Sequence, residues 1–332
     1  MFHYRKLVFV ATLFCSSIPA IAQERSYEDD KAIFSLVWEN DKFAHSDRDY
    51  TNGVRLSWLS AEETTPYWVR SLAHTVLPMA SDGKQRISMS IGQNMYTPTD
   101  LTQSALIPND RPYAGWTYGT VGIVSDTGNR LDTAQLTIGI VGPSSGTEAT
   151  QKFIHRLTDS QKPMGWDNQL KDEPGIVFTM ERKWRSIAEF EPFGAGVDVT
   201  PYAGFNLGNI NTDASVGATV RLGYDLPADY GPPRINPSLP GSDFFLPAQQ
   251  IGGYLFAGVE GRAVGRNIFL DGNSFQNSHS VDKNYFVGSA QVGAALTYEN
   301  TRLSYTHIFM TDEFKQQKDS AQFGALTLSY RF

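Results

Sequence analysis

The sequence predicts an all-β fold: a transmembrane, antiparallel, up-and-down β-barrel of about twelve strands, with a short helix in a long extracellular loop. Three observations carry this reading. The chain opens with a secretion-type leader, its later segments alternate apolar and polar residues, and its last ten residues form the most regular of these and end in Phe332. In the leader, Arg5 and Lys6 precede the apolar stretch 7–14, and Ala20-Ile21-Ala22 gives a small-residue cleavage signature before Gln23. Residues 1–22 are therefore expected to be a signal peptide and 23–332 a single barrel domain. An uncleaved anchor is the competing reading, but the apolar stretch is too short to span a bilayer as a helix.

In the closing segment, Leu326, Leu328, Tyr330 and Phe332 share one face, and Ala325, Thr327, Ser329 and Arg331 the other. Such a segment resembles the closing strand that outer-membrane barrels present to their insertion machinery. An amphipathic edge strand of a soluble sandwich would look similar, but the leader favours the barrel. The same period of two recurs in Val54, Leu56 and Trp58, in Leu136, Ile138 and Ile140, and in Val216, Val220, Leu222 and Tyr224. Lipid on one side and a wet lumen on the other select this pattern. Strands are expected at about 32–40, 52–60, 86–96, 114–125, 133–142, 175–187, 194–209, 213–226, 250–264, 284–299, 301–311 and 322–332, with ends uncertain by roughly 2–4 residues. The stretches 188–209 and Asn267–Leu270 leave room for a count that differs by two.

Composition agrees. The 29 glycines and 41 aromatic residues suit a barrel, which uses glycine at crowded positions and aromatics at both interfaces. Without Arg5 and Lys6, 26 basic residues face 35 acidic ones, which gives no footing for a nucleic-acid partner. Local cations such as Arg48, Arg111 and Lys152 remain available to bind an anionic substrate. Cys15, the only cysteine, lies in the leader, so disulfides and thiolate metal sites are not expected in 23–332.

With a periplasmic start, the outward loops fall at about 41–51, 97–113, 143–174, 210–212, 265–283 and 312–321. Two periplasmic connections are long: 61–85, with a short amphipathic helix near Trp68–Leu77, and the proline-rich 227–249, expected to be irregular. The outward loop 143–174 is long enough to suggest function. Within it 147–157 reads as a helix, with Ser145 and Glu148 at capping-box spacing and Thr147 as another cap. Glu148, Gln151 and His155 share a face of that helix, while Phe153, Ile154 and Leu157 point elsewhere, toward barrel or lipid. A lone surface histidine is usually inert; His155 suits general-base work only with a substrate in reach.

At the end of the first strand, Glu39, Asn40 and Asp41 offer only oxygen ligands, the chemistry of a hard cation such as Ca2+. Rim solvation, or pairing with Arg48 or Arg55, would explain them equally well. Alternation turns Glu39 and Asp41 to the lumen and Asn40 outward. Thr51-Asn52-Gly53 reads as a turn. No G-x-S-x-G elbow or H-E-x-x-H helix is present, so an enzyme here would use water as nucleophile.

Taken together, Trp38–Asp41, Asp47–Gly53, Asp110–Gly115, Val141–Ser144, the pair Gln151 and His155, and Gly165–Gln169 resemble the outer-membrane lipid A 3′-O-deacylase family. The resemblance runs from about residue 30 to Phe332. It implies a carboxylic ester hydrolase that depends on calcium and removes the 3′-linked acyloxyacyl chain of lipid A from lipopolysaccharide in the outer leaflet. It implies that Asn40 and Asp41 lie at the metal, that His155 is the base, and that Gln151 stands one turn before it. Remaining metal and headgroup contacts are left open among Thr65, Glu148 and Gln161. A non-enzymatic pore or ligand-uptake barrel, and a phospholipid esterase, are the competing functions.

Overall fold

A computed structural model describes residues 31–44, 49–62, 65–75, 79, 83–157, 159–190, 195–235 and 242–332. The expected signal peptide and Arg48 lie outside these residues. Twelve long strands form the wall: β1 (Ile33–Asn40), β2 (Asp49–Leu59), β3 (Lys84–Thr97), β4 (Ala114–Asp126), β5 (Arg130–Val141), β6 (Glu173–Trp184), β7 (Gly196–Gly208), β8 (Asn211–Tyr224), β9 (Ile251–Asn267), β10 (Phe286–Tyr298), β11 (Thr301–Met310) and β12 (Gln322–Arg331). Each pairs antiparallel with the next, and β1 pairs with β12 from Ile33↔Arg331 to Asn40↔Gly324, which closes the sheet. The three-residue strand Ala188–Phe190 adds a short pairing beside β7. No described helix is long and apolar enough to cross a membrane.

The period of two sets inside and outside. On β12, Leu326, Leu328, Tyr330 and Phe332 are exposed, while Ala325, Thr327, Ser329 and Arg331 are buried. On β1, Phe34, Leu36 and Trp38 face out, and Ile33, Ser35, Val37 and Glu39 face in. Closure removes every free edge, so an apolar exterior meets lipid without unpaired backbone groups. The expected strand ends shift by a few residues. Thr51-Asn52-Gly53 is not a turn: β2 begins at Asp49, because a bulge after Tyr50↔Tyr96 absorbs Thr51 before Asn52↔Met95 resumes pairing.

The tight turns 127–129 and 299–300 lie at one end of the barrel, which also carries the two long connections 60–83 and 225–250; the other end carries the loops 98–113, 142–172 and 268–285. At the turn end the helix α1 (Tyr67–Thr75) buries Val69 and Ala73, and Ala73 packs with Met79 near Ala134. The larger departure is the proline-rich connection, expected as irregular. It enters the lumen. Residues 228–235 are buried, and Phe244 and Phe245 pack with Ile33, Leu59, Val124, Leu131 and Tyr230. Asp229 accepts from Arg221, from Arg302 at 2.9 Å and from the Tyr254 hydroxyl at 2.8 Å, and Tyr230 donates to Asp126 at 2.6 Å. Arg302 also lies over the Phe245 ring at 4.6 Å. At the loop end, Ile268, Phe269 and Leu270 of the short helix α2 (Ile268–Asp271) are buried, and Phe269 stacks on Tyr96 at 3.9 Å. A polar cavity of about 150 Å³ lies between the two closures.

Candidate active site

The helix expected at 147–157 forms with those ends; we call it α3 (Thr147–Leu157). Its buried residues are Thr147, Gln151 and His155, spaced by four, whereas Phe153, Ile154 and Leu157 are exposed. Glu148 is not on the buried face. Its carboxylate turns forward to Lys152 as an i,i+4 ion pair, so the expected capping box does not form. Gly146 caps the helix instead, with its carbonyl accepting from Thr150 N, and Ser145 Oγ donates to the Gly142 carbonyl.

Glycine in the second motif explains why α3 sits where it does. A Cβ at Gly115 would lie 2.3 Å from both Ser145 Oγ and Thr147 Oγ1, so only glycine lets the helix start rest on β4. The 98–113 loop and the 159–172 loop then brace each other. Tyr113 and Trp166 pack with ring centres 5.0 Å apart, Met164 N donates to the Leu101 carbonyl, and Leu170 N donates to the Tyr113 carbonyl. This frame aims Trp166 at the helix, and its Nε1 donates to Gln151 Oε1 at 2.7 Å. Gln151 Nε2 is left buried with no hydrogen-bond partner.

His155, 6% exposed, has Nδ1 at 2.5 Å from the Gln161 carbonyl oxygen. A carbonyl can only accept, so the proton belongs on Nδ1 and Nε2 keeps its lone pair. Of the open contacts, Gln161 enters through this carbonyl.

A chain of hydrogen bonds ties this histidine to the end of β1. Lys42 N donates to Asn40 Oδ1 at 2.8 Å, Lys42 Nζ donates to Ser160 Oγ at 2.5 Å, and Ser160 N donates to the His155 carbonyl at 2.9 Å. Glu39 and Asp41 are fully buried, and Asn40 is half-buried. Phe43 packs edge-on against Trp38 at 5.0 Å and holds the Asp41–Ala44 turn over the wall. Thr51, the bulged residue, is buried nearby with its hydroxyl 2.6 Å from that of Thr97. The sequence reading passed over Thr51; a bulge beside a cluster of polar residues is a frequent feature of sites.

The oxygen donors of Asn40 and Asp41 fit a hard cation in kind. No group of three or more His, Cys, Asp or Glu residues among those described is placed to hold a metal, so neutral oxygens would have to complete its shell. Arg111, one of the expected substrate contacts, is buried in an ion pair with Glu313 at 2.5 Å and lies over Phe314 at 5.6 Å. Its charge braces two loops. Lys152 is half-exposed beside Glu148. Thr65 lies at the opposite end of the barrel, where its hydroxyl donates to the Gln85 carbonyl at 2.7 Å. It is too far from the mouth to join this site.

Wall, closures and mouth together define a twelve-stranded outer-membrane β-barrel with a polar site at its loop end. The family profile described as "Outer membrane protein LpxR" matches residues 7–332. The chain belongs to that family, the outer-membrane lipid A 3′-O-deacylases that its motifs resemble. LpxR from Salmonella typhimurium superposes with a TM-score of 0.71 at 22% identity, covering 90% of this chain and 100% of that one. Two more distant barrels are the β domain of the Bordetella autotransporter BrkA (TM-score 0.42, 9% identity, 90% and 98% covered) and the KdgM porin (0.37, 6%, 90% and 99%). No curated protein sequence matches the chain.

Proposed function

We propose that this chain is a calcium-dependent lipid A 3′-O-deacylase that hydrolyses the 3′-linked acyloxyacyl ester of lipid A. One observation carries the reading: α3 buries Gln151 and His155 together, with His155 held in the tautomer that leaves Nε2 basic and tied to the Asn40–Asp41 corner. Family membership supports the substrate. The site lies at the outer-leaflet end of the wall, and the exposed Phe153, Ile154 and Leu157 set α3 at the level of acyl chains.

In the reaction, His155 Nε2 takes a proton from water as the oxygen attacks the ester carbonyl. Gln151 Nε2 donates to the developing oxyanion, while Trp166 holds the amide in that orientation. The tetrahedral intermediate then breaks its C–O bond to the sugar, and His155 returns the proton to the departing 3′ oxygen. The products are the acyloxyacyl carboxylic acid and a free 3′-hydroxyl. Asn40 and Asp41 would hold calcium, which when bound supplies a Lewis acid to the same carbonyl oxygen. Lys152 would meet an anionic headgroup in this reading; Arg111, buried against Glu313, would not.

Mass spectrometry of lipid A from cells expressing the protein tests this. Loss of one acyloxyacyl unit is expected, and unchanged lipid A would sink the reading. A chelator should stop release; release that persists removes the calcium part alone. A pore is disfavoured by the lumen itself, which residues 228–235 and 242–246 fill at one end and Ile268–Leu270 cover at the other. A phospholipid esterase would instead release single acyl chains from glycerophospholipid vesicles.

A further inference from the structure

The connection between β8 and β9 does more than fill the lumen. Its base is fixed at the turn end by Asp229, Tyr230, Phe244 and Phe245. From there Pro233, Arg234 and Ile235 climb the inside of the wall. Thr327 Oγ1 donates to the Pro233 carbonyl at 3.3 Å, and Ile235 N donates to Glu39 Oε1 at 2.9 Å. Glu39 lies six residues along β1 from Ile33, so the segment rises roughly 20 Å of strand from its base. Ile235, its last described residue before 242, sits beside the residue that precedes Asn40 and Asp41.

Two further observations place Arg234 and Ile235 under this corner. Gly53 is the register partner of Glu39 on β2, and a Cβ there would lie 2.0 Å from Tyr50 Oη and 3.2 Å from Ile235 Cδ1. The glycine of the first motif is thus required by the contact between the wall, Tyr50 and Ile235. Arg234 is buried, and desolvation lowers its guanidinium to about 10, opposed by the charges of Glu39 and Glu260. It directly precedes Ile235, whose N–H binds Glu39, and lines the lumen cavity together with Arg55 and Asp243.

We propose that this segment is an internal strut, and that Arg234 and Ile235 are positioning residues that hold Glu39, and through it the outward end of β1, in the geometry the site needs. The inference rests on the deacylase reading for its kinetic readout but not for its structural one. Neither residue reaches the substrate, which approaches from the outer leaflet.

The test uses Ile235→Pro, which removes the N–H, Ile235→Val, which keeps it, and Arg234→Ala. Each full-length variant is refolded in vesicles and checked by heat-modifiable migration. Ile235→Pro and Arg234→Ala are expected to lower kcat about tenfold with KM for lipid A unchanged, because a buried hydrogen bond or charge contact to a carboxylate is lost. Ile235→Val is expected to restore the rate. Independently, amide hydrogen exchange across Glu39–Phe43 is expected to speed up in the first and third variants. Wild-type kcat together with wild-type exchange in a folded Ile235→Pro, or in Arg234→Ala if the proline variant does not fold, would overturn the strut. Absence of fatty-acid release from the unmodified protein would overturn the deacylase reading instead, and the exchange measurement would still decide the strut.

Discussion

At the loop end, the site residues are held mainly by single hydrogen bonds to backbone or side-chain carbonyl oxygens and by aromatic packing: His155 on Gln161, Ser160 on His155, Trp166 on Gln151, Tyr113 against Trp166. At the turn end, the lumen is closed by charges. Asp229 is fully buried between Arg221 and Arg302, and Arg221 also pairs with Asp198. Each bond at the mouth contributes little alone, so one substitution there alters the site and leaves the wall intact. A buried ion-pair network behaves differently. Removing one member strands its partners in a dry interior, and the whole domain feels it. Chemistry and stability should therefore separate between the two ends.

The largest expected effect on activity is at the mouth. His155→Ala and Asp41→Ala should each lower fatty-acid release by about 10²–10⁴, the range for loss of a general base or charge stabiliser, with heat-modifiable migration unchanged. Full activity in either variant would break the mechanism. The largest expected effect on stability is at the other end. Asp229→Ala leaves Arg221, Arg302 and the Tyr254 hydroxyl without their shared acceptor. A loss of about 3–5 kcal/mol is expected, read as a shift of the urea midpoint for unfolding from vesicles. Equal shifts from Asp229→Ala and His155→Ala would erase the contrast between the ends.

Trp166→Phe sharpens it within the mouth. The ring and its packing on Tyr113 stay, but the donor to Gln151 is gone. Left without that bond, Gln151 samples other orientations, and kcat should fall by roughly tenfold, a fraction of the roughly 10²–10³ that complete loss of an oxyanion donor costs. The urea midpoint should move little.

These contrasts were unevenly legible in the sequence. Wall strands could be read because alternation between lipid and lumen is written into each one, as in Leu326 through Phe332. α3 could be read from the capping-type residues Ser145, Thr147 and Glu148 at its start, although Gly146 and not a capping box closes that end. The strut could not. Its prolines carry no periodicity, and its partners Asp126, Arg302 and Glu39 are distant in sequence, each looking like an ordinary lumen residue. Arg111 misled for a related reason: a loop arginine gives no sign that Glu313, some two hundred residues on, will bury it. Thr51 was missed because YTNG has the composition of a turn, and only pairing with β3 reveals the bulge.

The smallest expected effect is also the most diagnostic of how the mouth is assembled. Lys42 Nζ to Ser160 Oγ is the side-chain bond that joins the turn after Asn40 to the loop after α3. It is exposed, so its net contribution should be near the low end for a hydrogen bond, about 0.5 kcal/mol, or roughly twofold in rate. Lys42→Met keeps the aliphatic stem and removes only the donor. If the two halves of the site are aligned by this bond, kcat should fall about twofold while KM and the urea midpoint hold. Ser160→Ala should give the same loss, and the double variant should lose no more than either single one, since both remove one interaction. Additive losses would mean that Lys42 and Ser160 act separately. The mouth would then be held together through the wall and the strut, with no direct latch between its halves.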